Sequence, residues 1–276
     1  SYFEPFFMGV SDHLQEEIHD DHVSYDPESY LQKKDVEKLE IKKEIRLEDI
    51  TYKYPNTETL IFNHADMVIP IGNSVGIVGT SGAGKTTIVD ILLGLLQIES
   101  GHILADGVEV REHYESWLKN IGYIPQTIFM IDSSIRKNVA FGYPDEEIDD
   151  DKVWRALKEA QLDEFVRGLP EGLDTSIGER GIRISGGQRQ RIGIARALIL
   201  EPKLIVCDEP VSALDVSIQS QVLNLLSEVK KEMNITYVFI SHNMSVVRYI
   251  SDRVGVMYLG HLVELADTEE LYTNPL

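Results

Sequence analysis

The residues best placed to do chemistry are two glycine-rich segments and one acidic strand end. Gly79-Thr80-Ser81-Gly82-Ala83-Gly84-Lys85-Thr86 has the spacing of a phosphate-binding loop, between an apolar run that reads as a strand and a segment that reads as a helix. Its glycines let backbone N–H groups turn inward toward phosphate oxygens at a helix N-terminus, where the peptide dipole also favours anions. Lys85 would reach the β and γ phosphates of a nucleotide, and the Thr86 hydroxyl would ligate Mg²⁺. The alternative is a plain glycine turn.

Leu204-Ile205-Val206-Cys207-Asp208-Glu209 is an apolar strand ending in two acids, which puts carboxylates at the carboxyl edge of a sheet. By itself that is a solvated strand terminus. Beside a phosphate loop, Asp208 becomes a Mg²⁺ partner through water, and Glu209 a general base or water-positioning residue for attack on a γ-phosphate. The second glycine segment, Ile184-Ser185-Gly186-Gly187-Gln188-Arg189-Gln190, opens an Arg-rich helix running to about Ile199. A hydroxyl, flexible N–H groups and a helix dipole make a second anion site without a lysine, or else merely a helix cap.

These groups need a scaffold. Short alternating and apolar runs at Ile45–Thr51, Met67–Ile71 and Ser74–Val78 predict strands, and a helix is expected from Lys85 to about Leu96. A polar, helix-rich stretch follows from about Asp145 to Leu200, including a helix at Lys152–Leu162 with Val153, Ala156, Leu157 and Ala160 on one face. Strands return at Lys203–Cys207 and Thr236–Ile240 around a helix at about Ile218–Met233, the rhythm of a parallel sheet covered by helices. Val254–Leu259 and Leu262–Glu264 predict a closing hairpin.

At 276 residues and 43% hydrophobic, the chain can bury one large core. A formal charge of −20 argues against a broad nucleic-acid-binding face, so no nucleic-acid partner is expected. The one cysteine, Cys207, cannot form an internal disulfide, which favours a reducing cytosolic setting. No window approaches the roughly 20 apolar residues that span a bilayer, so no direct membrane insertion is expected and any membrane contact must go through a partner. The start lacks the basic region of a signal peptide.

The Ser185–Gln190 segment resembles the signature sequence of ATP-binding cassette (ABC) proteins, and other pieces fall in that family's order from Arg46 to about Asn274. The resemblance implies an α/β P-loop fold: a mixed, mostly parallel core sheet with an antiparallel β subdomain and an α-helical subdomain. It implies an acidic linker or extension at 1–44 and an ATPase domain at 45–276, with the core at 45–127 and 200–276 and the helical subdomain at about 128–199. ATP and Mg²⁺ are the implied cofactors. In the family the signature faces the γ-phosphate held by an opposite subunit, so two chains sandwich two ATP molecules head to tail.

Residue by residue, Tyr54 in Tyr52-Lys53-Tyr54-Pro55 matches the aromatic that stacks on adenine, although alone it would be an ordinary strand aromatic. Gln126, meaningless in isolation, matches the glutamine that touches Mg²⁺ and water and senses the membrane partner. Asp215 in Ser212-Ala213-Leu214-Asp215 matches the loop coupling the two composite sites, and His242 the switch histidine at the γ-phosphate. Gly79, Ser81, Gly82, Gly84, Thr87, Ser185, Gly186, Gly187 and Gln188 complete the implied nucleotide contacts, and Thr86, Gln126 and Asp208 the metal set.

The two parts of the chain resemble different branches of the family. Ile121–Asn138 and Thr175–Gly181 look like exporter or flippase ATPases, the latter matching the loop that touches transmembrane coupling helices. Cys207–Gln219, Phe239–Asn243 and Glu270–Pro275 resemble oligopeptide and dipeptide importer ATPases, which suggests a chimera joined within Ser185–Leu198. The implied function is a Mg-ATP-hydrolysing domain, exporter-like at its coupling loops, that pairs with a second ABC ATPase domain and powers a transmembrane partner from the inner face of the cell membrane. The alternatives are a soluble regulatory ATPase of the same superfamily and a folded scaffold that does not cycle.

Overall fold

The computed structural model describes residues 36–80 and 82–273. They form two compact units, one built on Phe129–Ile199 and one on residues 38–128 together with the chain from residue 200 onward.

The larger unit begins with strands β1 (Glu44–Lys53), β2 (Leu60–Pro70) and β3 (Ser74–Gly79), then helix α1 (Lys85–Leu92), β4 (Ser100–Ala105), β5 (Val108–Glu109), α2 (Tyr114–Leu118) and β6 (Ile121–Ile124). The smaller unit carries α3 (Ile135–Val139), α4 (Asp150–Glu159), α5 (Asp163–Arg167) and α6 (Gly186–Leu198). The chain then returns to the larger unit as β7 (Leu204–Asp208), α7 (Val216–Met233), β8 (Thr236–Ile240), α8 (Met244–Ile250), β9 (Arg253–Tyr258), β10 (His261–Asp267) and α9 (Thr268–Thr273).

Two sheets organise the larger unit. One is antiparallel in the order β2-β1-β4-β5, and along β1 burial alternates as a half-covered strand requires. The other has the order β10-β9-β3-β8-β7-β6, parallel throughout except for the antiparallel edge pair β9–β10. Its central strands are buried end to end: Val75, Ile77, Leu204 to Cys207 and Tyr237 to Ile240 are at most 1% exposed. Continuous Val/Ile/Leu-rich runs are what a sheet covered on both faces demands.

Helix α1 stops at Leu92, four residues short of the expected end. Gly94 takes a left-handed φ of +68°, and a Cβ there would lie 2.0 Å from the Tyr114 hydroxyl, so the chain turns tightly beneath the Tyr114 ring. Strand β1 likewise starts within the stretch expected as linker. The backbone N–H groups of Lys42, Lys43 and Glu44 all donate to the Asp106 carboxylate at 2.7 to 2.9 Å, and this fixes the entry of the strand. Burial works against the Asp106 charge, but the three donors prevail and hold its pKa below the ordinary value. The rest of the expected 1–44 extension lies largely outside the described residues.

Candidate functional site

Four neighbouring parallel strands of the larger unit, β3, β8, β7 and β6, run out at the same carboxyl edge. The chain leaving β3 becomes the glycine loop, β8 leads to His242, β7 ends at Asp208 with Glu209 next, and β6 leads to Gln126. Carboxyl edges of parallel sheets are where α/β proteins hold ligands. The topology thus gathers residues up to 163 positions apart in the chain.

In the glycine loop, Gly84 is the N-cap of α1 with φ +95°, and a Cβ there would press within 3.0 Å of Ile61. At Gly79 a Cβ would lie 2.4 Å from the Met257 carbonyl oxygen, so close packing against β9 also excludes a side chain. Lys85 is 8% exposed, and its Nζ donates to the Gly79 and Thr80 carbonyls at 3.0 and 2.9 Å. A buried ammonium whose hydrogen bonds among the described residues go to neutral carbonyls is suited to an anion in that loop. Thr86 and Thr87 follow in the first turn of α1, and the Thr87 Oγ1 lies 3.0 Å from the Tyr54 hydroxyl. Ser81 lies outside the described residues.

Opposite the loop, Glu209 takes a left-handed φ of +48° and is held at both carboxylate oxygens. Gln126 Nε2 donates to Oε2 at 3.4 Å, and His242 Nδ1 lies 3.1 Å from Oε1. The same Gln126 nitrogen is 3.3 Å from the Ser212 hydroxyl, which itself donates to the Glu209 carbonyl. A non-glycine residue in this backbone region carries strain of about 1 to 3 kcal/mol, tolerated where the surroundings over-determine it.

A second carboxylate, not singled out as a site residue from the sequence, feels the charge of Asp208. Burial, followed by the neighbouring Glu209 charge, raises the Asp208 pKa, with Lys85 partly opposing. Asp90 on α1 is pushed up to about 6, by burial first and the charge of Asp208 second. Burial first, then Asp208 and Asp90, also raises the Tyr123 phenol. Burial is thus the main force acting against ionisation at this edge, with neighbouring carboxylates second. The donor types at this edge, the Asp208 carboxylate, the Thr86 hydroxyl and the Gln126 amide, are oxygen donors of the kind Mg²⁺ takes, one or two carboxylates plus substrate phosphates. Among the described residues no group of three His, Cys, Asp or Glu could hold a metal unaided. The signal for Asp90 was a lone acid interrupting the apolar run Ile88 to Leu96.

The second glycine segment sits in the smaller unit as the start of α6. Ser185 Oγ accepts from the Gln188 N–H at 3.2 Å while Gln188 Oε1 accepts from the Ser185 N–H at 2.8 Å, a reciprocal capping box. Gly186 and Gly187 form the first turn, and the serine keeps its own proton to donate. Asp215 is likewise a cap, its carboxylate accepting from the Ile218 N–H at the head of α7.

Farther along α6, Arg196 was unmarked in the sequence because an arginine in an Arg-rich helix looks solvated. It is partly buried instead, and desolvation brings its pKa down to about 10. It donates to the Phe129 and Asn138 carbonyls at 2.9 Å and lies 4.4 Å over the Phe141 ring. Arg189 holds the Ile184 and Gly181 carbonyls in the same way, at 2.8 and 3.3 Å. The two exporter-like stretches are stitched together by a Ser134–Ser176 bridge and by bonds from Ile135 N to Thr175 O and Ile177 N to Ser133 O. Most of their apolar side chains, Met130, Ile135 and Ile177 among them, are buried, whereas Phe129 at 55% exposure and Ile182, just beyond the second stretch, at 81% face outward.

The family model described as ABC transporter matches residues 62–212. The chain is 39% identical to the oligopeptide transport ATP-binding protein AmiF of Streptococcus pneumoniae, over 84% of this chain and 77% of that protein. It is 42% identical to AppF of Bacillus subtilis, also an oligopeptide transport ATP-binding protein, but spans 63% of its length. The iron-sulfur clusters transporter atm1 of Aspergillus fumigatus is 36% identical over 87% of this chain, which covers only 33% of that protein. Among solved structures, a bacterial Atm1-family ABC exporter with ATP bound superposes with a TM-score of 0.74 at 30% identity, covering 88% of this chain and 42% of the exporter. Importer-type and exporter-type relatives each match most of the chain rather than one part of it, which lends no support to a junction. Among the described residues no helix is long and apolar enough to cross a membrane. The chain belongs to the ABC transporter family, as one of its ATP-hydrolysing α/β domains.

Proposed function

We propose that this domain holds Mg-ATP at the Gly79–Thr86 loop and hydrolyses it at a site completed by the Ser185–Gln188 helix tip of a second copy, and that the cycle drives a transmembrane partner. The observation that carries this reading is the convergence of Gln126 and His242 on the two oxygens of Glu209, at the sheet edge that also bears the glycine loop.

Phosphoryl transfer to water asks the protein for placement and charge neutralisation. Lys85 exchanges the Gly79 and Thr80 carbonyls for β- and γ-phosphate oxygens, which return more per bond because they are charged. Gly82, Gly84 and Thr87 supply backbone and hydroxyl donors around the same phosphates, and Tyr54 stacks on the base. Thr86, Gln126 and Asp208 hold Mg²⁺, which when bound neutralises the charge building on the phosphates. Glu209, aimed by Gln126 and His242, accepts a proton from the attacking water or orients it, and His242 also reaches the γ-phosphate. Ser185, Gly186, Gly187 and Gln188 of the opposite copy close over the phosphates, with Asp215 linking the two sites across the pair.

Exporter-like coupling is supported by the exposed Phe129 on the first stitched stretch and Ile182 just after the second, and by the likeness to the Atm1-family exporter structure. Such a partner would hold the domain at the inner face of the cell membrane. Substituting Lys85→Ala should weaken ATP binding at least tenfold, the scale of one lost charge-assisted contact. Calorimetric titration showing wild-type affinity in that variant would remove the glycine loop from the site.

A further inference from the structure

Tyr54 and Thr87 approach the proposed nucleotide site from different elements and meet in one hydroxyl–hydroxyl contact. Tyr54 follows β1, is 36% exposed, and packs edge-on against Tyr52 with ring centroids 5.3 Å apart. Thr87 is 4% exposed on α1, two residues beyond Lys85. Their oxygens lie 3.0 Å apart, ordinary hydrogen-bonding distance, although 33 residues separate them.

We propose that the Tyr54 hydroxyl is a positioning group that acts through Thr87, making Thr87 a better-aimed donor to the nucleotide phosphates; this rests on the ATP-binding reading above. Each hydroxyl has one proton to give. When an anionic oxygen draws the Thr87 proton, the Tyr54 proton must fill the gap, so the chain runs from Tyr54 to Thr87 to phosphate in a single direction. Donors in such a chain polarise one another, the more so where one of them, Thr87, is shielded from water. A phenylalanine would keep the aromatic face for the base and lose this function, so the hydroxyl is the specific requirement. The edge contact with Tyr52 and the bond to Thr87 together leave the Tyr54 ring little freedom before nucleotide arrives, which reduces the ordering cost of binding.

The test is a double-mutant cycle read by calorimetric titration with ATP in the absence of Mg²⁺. Tyr54→Phe and Thr87→Val should each weaken ATP binding about 2- to 10-fold, the worth of one net hydrogen bond. The double variant should bind no more weakly than the weaker single, because both changes break one chain. Thr87→Ser, which restores a hydroxyl, should bind more tightly than Thr87→Val; a purely structural role for the threonine methyl would give the reverse. Losses that add in the double variant, or Tyr54→Phe binding as wild type does, would overturn the proposal while leaving the ATP site standing. Failure of the unaltered protein to bind ATP would instead overturn the reading beneath it.

Discussion

Held at both oxygens by Gln126 and His242, Glu209 has little rotational freedom left, and a carboxylate so fixed is suited to aiming one water. Glu209→Gln keeps the shape and the neighbours but removes the charge that draws a proton. ATP turnover should fall about 10²- to 10⁴-fold in that variant, the usual worth of a positioned base, while ATP binding persists. Retained turnover in a phosphate-release assay would take Glu209 out of its role. Asp90 makes a separate prediction about pH. Its folded pKa, near 6, is raised above the unfolded value, so ionised Asp90 costs stability above about pH 6 and that cost fades as pH falls toward 4. Because Asp90 is only partly buried, the cost is discounted for solvent screening to about 1 to 2 kcal/mol. Nucleotide-free Asp90→Asn should therefore be more stable than wild type in urea at pH 8 and gain little at pH 4.5. An equal gain at both would mean that Asp90 is not strained by its charge.

Among the elements, α6 joins two functions: its first turn presents the Ser185 capping box, and two turns on Arg196 pins the Phe129–Asn138 stretch. Replacing Arg196 by Met would leave the Phe129 and Asn138 carbonyls without this donor, a loss of about 1 to 3 kcal/mol, and Lys should not rescue because it lacks the planar fork. Hydrogen exchange should quicken at the Ile131 amide, which rests on the Asn138 side chain. Unchanged protection there would show that Arg196 is dispensable to the loop. The elements also mark how far local sequence carries. Strand β8 at Thr236–Ile240 was readable because a run of five buried residues between clear breaks has one solution. The end of α1 was not, because the Gly94 turn depends on Tyr114, twenty residues away. The glycine loop is legible as a local pattern, whereas the meeting of Gln126, Glu209 and His242 follows from strand order, which no local pattern encodes and which only the resemblance could anticipate. Arg196 and Asp90 escaped notice because a charge is read as solvated until its neighbours are known.

For the whole molecule, the glycine loop belongs to one compact unit and the Ser185 tip to the other, and the proposed site draws them from different copies. That arrangement makes each site the joint property of two chains, so defects on opposite sides of it should complement. Lys85→Ala spoils the loop and leaves the Ser185 tip intact; Ser185→Glu does the opposite by setting a negative charge against the phosphates. Head-to-tail pairing of the two variants rebuilds one sound site from the good half of each. The measurement is ATP turnover of each variant alone and of their equimolar mixture. The mixture should hydrolyse ATP where neither component does, and a mixture as inactive as its parts, with wild type active beside it, would rule out a site shared between two chains.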